Sequence, residues 1–231
     1  MKSSISLLMT IVSVFILPGS FSQNIVFPLQ NDIDSASYCL GMNVAQQIKS
    51  QGMNEINPEK VAAGISAMYN NTDPLILPNE ANQYFNNFLQ NQKNRIAAEN
   101  LETGKKFLEE NSKKKGVTSL PSGLQYEIIK AGTGQQPVKN DMVTAHYTGM
   151  LTDGTVFDSS VQRGQPFQTP VGVGRVIKGW DEALQLMKEG DKWKLYIPPD
   201  LGYGANPRPG SGIEPNDVLV FELELIKVEH K

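Results

Sequence analysis

The sequence predicts an α+β protein: an all-helical N-terminal region, a long linking helix, then a curved antiparallel β-sheet half-barrel wrapped on one short helix. Three observations lead there. Apolar residues recur at helical spacing up to about residue 116 and alternate with polar ones after it. Helix caps punctuate the first part, as at Asn57-Pro58 and Gly116. Turn dipeptides and glycines punctuate the second, at Gly132-Thr133-Gly134, Asp153-Gly154 and Glu189-Gly190-Asp191.

The chain opens MKSSISLLMTIVSVFILPGSFSQ. Lys2 supplies a positive start, Ile5 to Leu17 is an apolar run too short for a comfortable bilayer span, and Ser20-Phe21-Ser22 has the small-x-small form of a cleavage site. Residues 1–22 therefore read as a signal peptide, with an uncleaved N-terminal anchor as the alternative. No cysteine follows the run, which argues against a lipoprotein anchor. The mature protein is expected to be exported to the periplasm without stable membrane insertion, with outer-membrane association or secretion left open.

Residues 23–77 read as two helices. Asp32 and Asp34 can cap the first, which runs to about Gln51 and ends at Gly52. Ile33, Ala36, Leu40, Val44 and Ile48 form one apolar stripe, and Tyr38 and Met42 fall on the opposite side. A short helix with two apolar sides needs two partners, and the second can be another chain. Asn57-Pro58-Glu59 starts the next helix with a capping side chain, a proline at the first position and an acid near the dipole. Its inner face is Val61, Ile65 and Met68, and Asn70-Asn71 ends it. Asn70-Asn71-Thr72 also fits a glycosylation sequon, a match too short to carry weight.

Residues 78–116 predict one long helix from Pro78 to about Ser112, roughly 50 Å at 1.5 Å per residue. Tyr84, Phe85, Phe88 and Leu89 share a face, but Ile96, Leu101, Phe107 and Leu108 are widely spaced among polar residues. This predicts a largely solvated stalk between two bodies, or a helix broken near Gly104. Lys113-Lys114-Lys115-Gly116 suits a helix end.

In residues 117–231, alternation marks strands at Leu124-Tyr126-Ile128, Val143-Ala145-Tyr147 and Trp193-Leu195-Ile197. The longest runs from Val218 to Val228, with Leu219, Phe221, Leu223 and Leu225 on one face and Glu222 and Glu224 on the other. Only Trp180 to Met187 reads as a helix in this half. An antiparallel, curved sheet with one helix laid across it fits the pattern.

Composition narrows the chemistry. A formal net charge of −3 over 231 residues offers no basic field for nucleic acid. One cysteine and two histidines leave no plausible metal cluster and no intramolecular disulfide, and no nucleophile elbow or phosphate loop occurs. No cofactor is expected. Cys39 is expected to be a buried small hydrophobe, a bridge to a second copy being the alternative.

The aromatic residues of the second half come from separate segments: Tyr147, Phe157, Phe167, Trp180, Tyr203 and Phe221. On a half-barrel, inward residues of several strands converge, so these could line one cavity or fill an ordinary core. Asp158 directly follows Phe157, and Tyr203 lies in Leu-Gly-Tyr-Gly, a loop and not a strand. Both features favour the cavity.

The stretches HYTGMLTDGTVFDSS, RGQPF, VIKGWDEALQLMKEGDKWKLYIPPDLGYG and IEPNDVLVFELELI run in order through residues 117–231. With them, this half resembles the FKBP family of peptidyl-prolyl cis-trans isomerases. DSASYCLGMNVAQQIKSQG and the long helix are similar, more loosely, to the dimerising extension of exported bacterial FKBPs of the macrophage-infectivity-potentiator type. The resemblance implies an apolar pocket of Tyr147, Phe157, Phe167, Val176, Ile177, Trp180, Tyr203 and Phe221, with Trp180 as its floor. It implies Asp158 as the pocket-edge carboxylate, Arg163 as the basic residue beside it and Ile213 as the apolar residue of an overhanging loop. Residues 206–212 have their own composition, and Glu214 stands where the family usually has proline.

The implied activity is rotation about X–Pro peptide bonds in unfolded or flexible polypeptides, by a non-covalent mechanism in an aromatic pocket, with macrolide FKBP inhibitors as further ligands. Tyr147, Phe157, Asp158, Trp180, Tyr203 and Phe221 would carry catalysis, and Arg163, Phe167, Val176, Ile177 and Ile213 would bind substrate. A peptide-binding holdase with little catalytic role is the alternative. The N-terminal helices would make a homodimer.

Overall fold

A computed structural model describes residues 28–50, 53 and 55–230. The expected signal peptide and the expected helix stop at Gly52 lie outside the described residues. The chain divides into two compact units, residues 1–43 and 44–231.

Helix α1 spans Asp32–Ser50. Its cap is Asn31 and not the two aspartates: Asn31 Oδ1 accepts the Asp34 N–H at 2.9 Å, and Asp34 Oδ2 accepts the Gln30 N–H at 2.9 Å. The pairing satisfies the Asp34 amide that the helix start leaves free and ties the residue before the cap to the first turn. Helix α2, Pro58–Tyr69, starts as its sequence predicts, with Asn57 Oδ1 accepting the Lys60 N–H at 3.1 Å. It ends at Asn70, and Asn71 turns the chain at φ +50°. No residue of α1 or α2 is buried. Cys39 is exposed and free, contrary to the expectation of a buried thiol, because no described residue covers that side of α1.

Helix α3 runs unbroken from Pro78 to Asn111. Gly104 does not break it. A Cβ there would lie 2.7 Å from Val218 Cγ2, so glycine serves close packing. The second half of α3 is no solvated stalk. Gly104 and Asn111 are buried, and Phe107 packs against Tyr196 with ring centroids 6.1 Å apart. Asn111 Nδ2 donates to Gln125 Oε1 at 2.9 Å, and Gln125 Nε2 donates to the Leu108 carbonyl at 2.9 Å. Gly116, at φ +95°, turns the chain into the sheet.

The strands are β1 (Val117–Ser119), β2 (Gln125–Lys130), β3 (Met142–Met150), β4 (Val156–Ser159), β5 (Phe167–Pro170), β6 (Lys192–Ile197) and β7 (Leu219–Glu229). They form one antiparallel sheet in the order β1-β2-β6-β7-β3-β4, with β5 also on β3. Strand β3 alternates strictly, burying Val143, Ala145 and Tyr147. Strand β7 buries Leu219, Leu223 and Leu225 beside Phe221. A bulge at Ile226, where Thr144 faces Lys227 and Ala145 faces Leu225, restores Val228 to the buried face. The expected strand at Leu124 begins one residue later, and Ile128 is exposed near its irregular end.

Two short α-helices, α4 (Ser160–Arg163) and α5 (Lys178–Leu184), and a 3-10 turn at Pro199–Leu201 occur in this part, where one helix was expected. Trp180, Ala183, Leu184 and Met187 share the core with the buried face of the sheet. Gly179 makes that approach sterically feasible, since a Cβ there would meet Ile197 Cγ2 at 2.7 Å.

Candidate functional site

An open cavity of about 450 Å³ is lined by Tyr147, Phe157, Asp158, Phe167, Arg175, Val176, Ile177, Trp180, Tyr203 and Phe221. Its size and its apolar lining with few polar groups suit a peptide side chain. The indole of Trp180, only 4% exposed, stands nearly perpendicular to three rings. These are Tyr147 at 5.0 Å and 81°, Phe221 at 5.3 Å and 83°, and Phe167 at 6.0 Å and 79° between centroids and planes. Phe157 meets Phe221 edge-on at 5.5 Å. Edge-to-face contacts of this kind fix ring orientation as well as burying area.

The position of each ring follows from local structure. Gly149 of β3 lies opposite Phe221 of β7 on one side and Asp158 of β4 on the other. A Cβ on Gly149 would come within 2.7 Å of both Phe157 and Phe221, so only glycine leaves room for the two rings. Trp180 is set by the start of α5, where the Ile177 carbonyl accepts the Trp180 N–H at 3.0 Å. The Asp181 carboxylate accepts the N–H groups of Gly172 (2.8 Å) and Gly174 (3.0 Å), which pins the preceding loop. That loop presents Val176 and Ile177 to the cavity. The Ile177 N–H donates to no described residue, so it is free to meet a ligand.

The polar edge is a three-residue knot. The Tyr147 hydroxyl donates to Asp158 Oδ2 at 2.5 Å, Arg163 Nη1 pairs with Asp158 Oδ1, and Arg163 Nη2 donates to the Tyr147 oxygen at 2.9 Å. Helix α4 makes the knot sterically feasible. The Ser159 hydroxyl caps it by accepting the Gln162 N–H at 3.3 Å, and one turn carries Arg163 back over Tyr147. Burial pushes the Asp158 carboxyl up, but the hydrogen bonds from Tyr147 and Arg163 outweigh it and hold the group below 3.8. Burial, aided by Asp158, holds the Tyr147 hydroxyl above 10.0 against the opposing effect of Arg163. Burial likewise raises Tyr203, with a smaller effect of the Asp158 charge. The Tyr203 side chain is 45% exposed, and its hydroxyl bonds to no described residue.

Of the eleven residues singled out by sequence, nine line this cavity. Arg163 sits at its edge through Asp158, and Ile213 packs against the core from the loop outside the cavity lining. Sequence reasoning missed Arg175, which lines the cavity, and Gly149, which makes space for its rings. Arg175 stands immediately before Val176-Ile177 and was within reach. Gly149 lay in a quoted stretch but signals nothing without knowledge of which rings flank it. Among the described residues no group of histidine, cysteine and acidic side chains could hold a metal ion.

Residues 133–226 match the model of the FKBP-type peptidyl-prolyl cis-trans isomerase, and residues 33–128 that of the domain amino terminal to it. The outer membrane protein MIP of Legionella longbeachae is 41% identical over 211 residues, covering 87% of this chain and 88% of its own. The FKBP-type 22 kDa peptidyl-prolyl cis-trans isomerase of Escherichia coli (strain K12) is 43% identical over 197 residues, covering 84% and 94%. The crystal structure of FkpA from Escherichia coli aligns with a TM-score of 0.63 at 33% identity, over 87% of this chain and 99% of that one. A pocket walled by aromatic rings, on a sheet of this topology and with relatives of this likeness, leaves one assignment: the chain belongs to the FKBP-type peptidyl-prolyl cis-trans isomerases.

Proposed function

We propose that the isomerase works by seating the substrate proline on Trp180 between Tyr147, Phe157, Phe167 and Phe221. Rotation about an X–Pro amide crosses a barrier of ~18–20 kcal/mol because the C–N bond has partial double-bond character. Nothing covalent has to form, so neither a nucleophile nor a proton donor is needed. The twisted amide has lost conjugation and its carbonyl carries less negative charge than the planar one. A dry aromatic wall therefore favours the twisted state over the planar one, relative to water. The Tyr203 hydroxyl and the Ile177 N–H, both without a partner among the described residues, are suited to hold the flanking substrate carbonyls. Asp158 takes no part in proton transfer. It orients Tyr147 and Arg163 at the polar lip, and Val176 and Ile213 shape the apolar one. The observation that carries this reading is the set of rings standing edge-on to a buried indole. A protease-coupled isomerisation assay on short X–Pro peptides, with and without a macrolide FKBP inhibitor, tests it. Binding of peptide without acceleration would leave only a holdase.

The domain reading proposed is a signal peptide at 1–22, a helical dimerisation domain at 23–77, the linking helix at 78–116 and the isomerase domain at 117–231. The apolar residues that α1 and α2 leave exposed support a homodimer. The relative named as an outer membrane protein supports export, with the folding of exported proteins as the task. No described helix is long and apolar enough to cross a membrane.

A further inference from the structure

The loop from Gly204 to Asp217 begins beside Tyr203 and ends where β7 begins. Its two ends are tied together by the Asn216 N–H, which donates to the Gly204 carbonyl at 2.9 Å. Gly204 is held in turn by its own N–H on the Pro199 carbonyl at 3.0 Å. The closing turn is unusual in conformation, with Asn216 at φ +60°. It is also tight, since Asp217 Oδ2 accepts the Glu214 N–H at 2.7 Å. What fixes this turn lies on the long helix. Asn100 Nδ2 donates to the Pro215 carbonyl and to Asp217 Oδ1, both at 3.0 Å. Asn216 Nδ2 answers by donating to the Ala97 carbonyl at 3.0 Å. Lys93 Nζ reaches Asn206 Oδ1, further out on the loop, at 2.7 Å.

These contacts share one face of α3. Lys93, Ala97, Asn100, Gly104, Phe107 and Asn111 are spaced alternately four and three residues apart, the interval that keeps side chains on one stripe. The first three meet the loop, and the last three meet Val218, just before β7, and the strands β6 and β2. The helix is thus registered against the sheet at one end of the stripe and holds the loop with the other.

We propose that Asn100 is a positioning residue for the isomerase pocket: from α3 it holds the Pro215–Asp217 turn, and through the Asn216–Gly204 bond it sets the place of Tyr203. The proposal rests on the reading of Tyr203 as a donor to a flanking substrate carbonyl. A donor that serves planar and twisted amide alike contributes uniform binding, so loosening it raises KM and leaves kcat in place.

The test uses the full-length protein with Asn100→Ala, Asn216→Gly and Tyr203→Phe. Asn216→Gly removes the bond to Ala97 while keeping a left-handed backbone that glycine adopts freely, so it carries the test where Asn100→Ala loosens the whole body. Amide hydrogen exchange and steady-state isomerisation of Leu-Pro and Ala-Pro tetrapeptides are measured on each. For Asn100→Ala and Asn216→Gly the expected result is faster exchange confined to residues 203–217, with KM raised about fivefold, the factor for one net hydrogen bond, and kcat within about twofold of the native value; Tyr203→Phe is expected to raise KM alike without the faster exchange. Unchanged exchange in that segment, or KM within about twofold of native in both Asn100→Ala and Asn216→Gly, overturns the proposal. If Tyr203→Phe leaves KM unchanged while Asn100→Ala and Asn216→Gly raise it, the role given to Tyr203 fails and the clamp stands.

Discussion

Helices α1 and α5 are both amphipathic in sequence, and the structure treats them in opposite ways. In α5 Gly179, Trp180, Ala183 and Leu184 are buried. In α1 nothing is, and Ile33 and Tyr38 are 77% and 61% exposed. Helix α2 repeats the case, with Met68 61% exposed. The difference teaches that a hydrophobic stripe declares that a face will be covered, not which chain will cover it. Helix α5 finds its cover across the sheet, while no described residue covers the apolar faces of α1 and α2, which suits the homodimer proposed above.

The comparison breaks most visibly at Trp180. Trp180→Ala is expected to reduce kcat/KM about a hundredfold or more, as losing about 3 kcal/mol of transition-state stabilisation would. Stability should fall by about 3–5 kcal/mol, the range for truncating a buried aromatic. Thermal melts and the coupled assay measure both. A near-native rate in a folded variant would mean that the rings only fill a core.

The converse change belongs on the uncovered helices. Leu40→Glu with Ile65→Glu should turn a dimer into a monomer by light scattering, since each covered aliphatic contributes about 1.5–3 kcal/mol. Turnover of short peptides should not change. Refolding of an unfolded protein limited by proline isomerisation should slow, because a dimer raises the effective concentration of pockets around one client. A native protein that is already monomeric would leave α1 and α2 exposed for another reason.

Truncation separates the two roles of α3. A chain beginning at residue 117 loses Gly104, Phe107 and Asn111 from Val218, Tyr196 and Gln125. It should be less stable than a chain beginning at residue 90 by about 2 kcal/mol or more, and so melt at a lower temperature, because buried polar groups lose their partners. Equal melting temperatures would show that the stripe on α3 rests on the sheet without stabilising it.

How much of this was legible follows the same division. The strands, α5, the aromatic set and the pocket edge could be read because alternation and a long run of ordered motifs specify them. The role of the second half of α3 could not. Phe107 apart, its stripe is made of small or polar residues, Ala97, Asn100, Gly104 and Asn111, which give too little hydrophobic signal to predict cover. The Asn111–Gln125 contact is polar and buried, a pairing that only coordinates reveal. Cys39 misleads for the opposite reason: a small apolar residue in a helix predicts burial, and no described residue buries it.

A smaller effect is expected from pH. The Asp158 carboxyl is held below 3.8 because bonds from Tyr147 and Arg163 outweigh its burial, and Tyr147 is held above 10.0 by burial first. A lowered carboxyl contributes stability that is complete above its unfolded value and lost as pH falls through its folded one. The edge of the pocket should therefore stay intact, and kcat/KM flat, from about pH 5 to about pH 9. Loss should appear on the acid side, below 3.8. A bell-shaped profile centred near neutrality would mean that a titrating group takes part after all.

The smallest effect concerns a charge that, like the faces of α1 and α2, has no partner among the described residues. At the rim, Arg163 is paired with Asp158, but Arg175 makes no ion pair among the described residues. The lip therefore carries one positive charge in excess on a protein whose net charge is −3. A substrate with glutamate before proline should gain over its glutamine counterpart. Because Arg175 is exposed, the gain should be only about twofold to threefold in kcat/KM, as for other solvated ion pairs. Arg175→Gln should erase it without altering turnover of the glutamine peptide. Salt should do the same, since at about 0.1 M the screening length is already about 10 Å. A glutamate preference that survives both would place its origin elsewhere on the rim, and no preference at all would leave Arg175 as solvated surface.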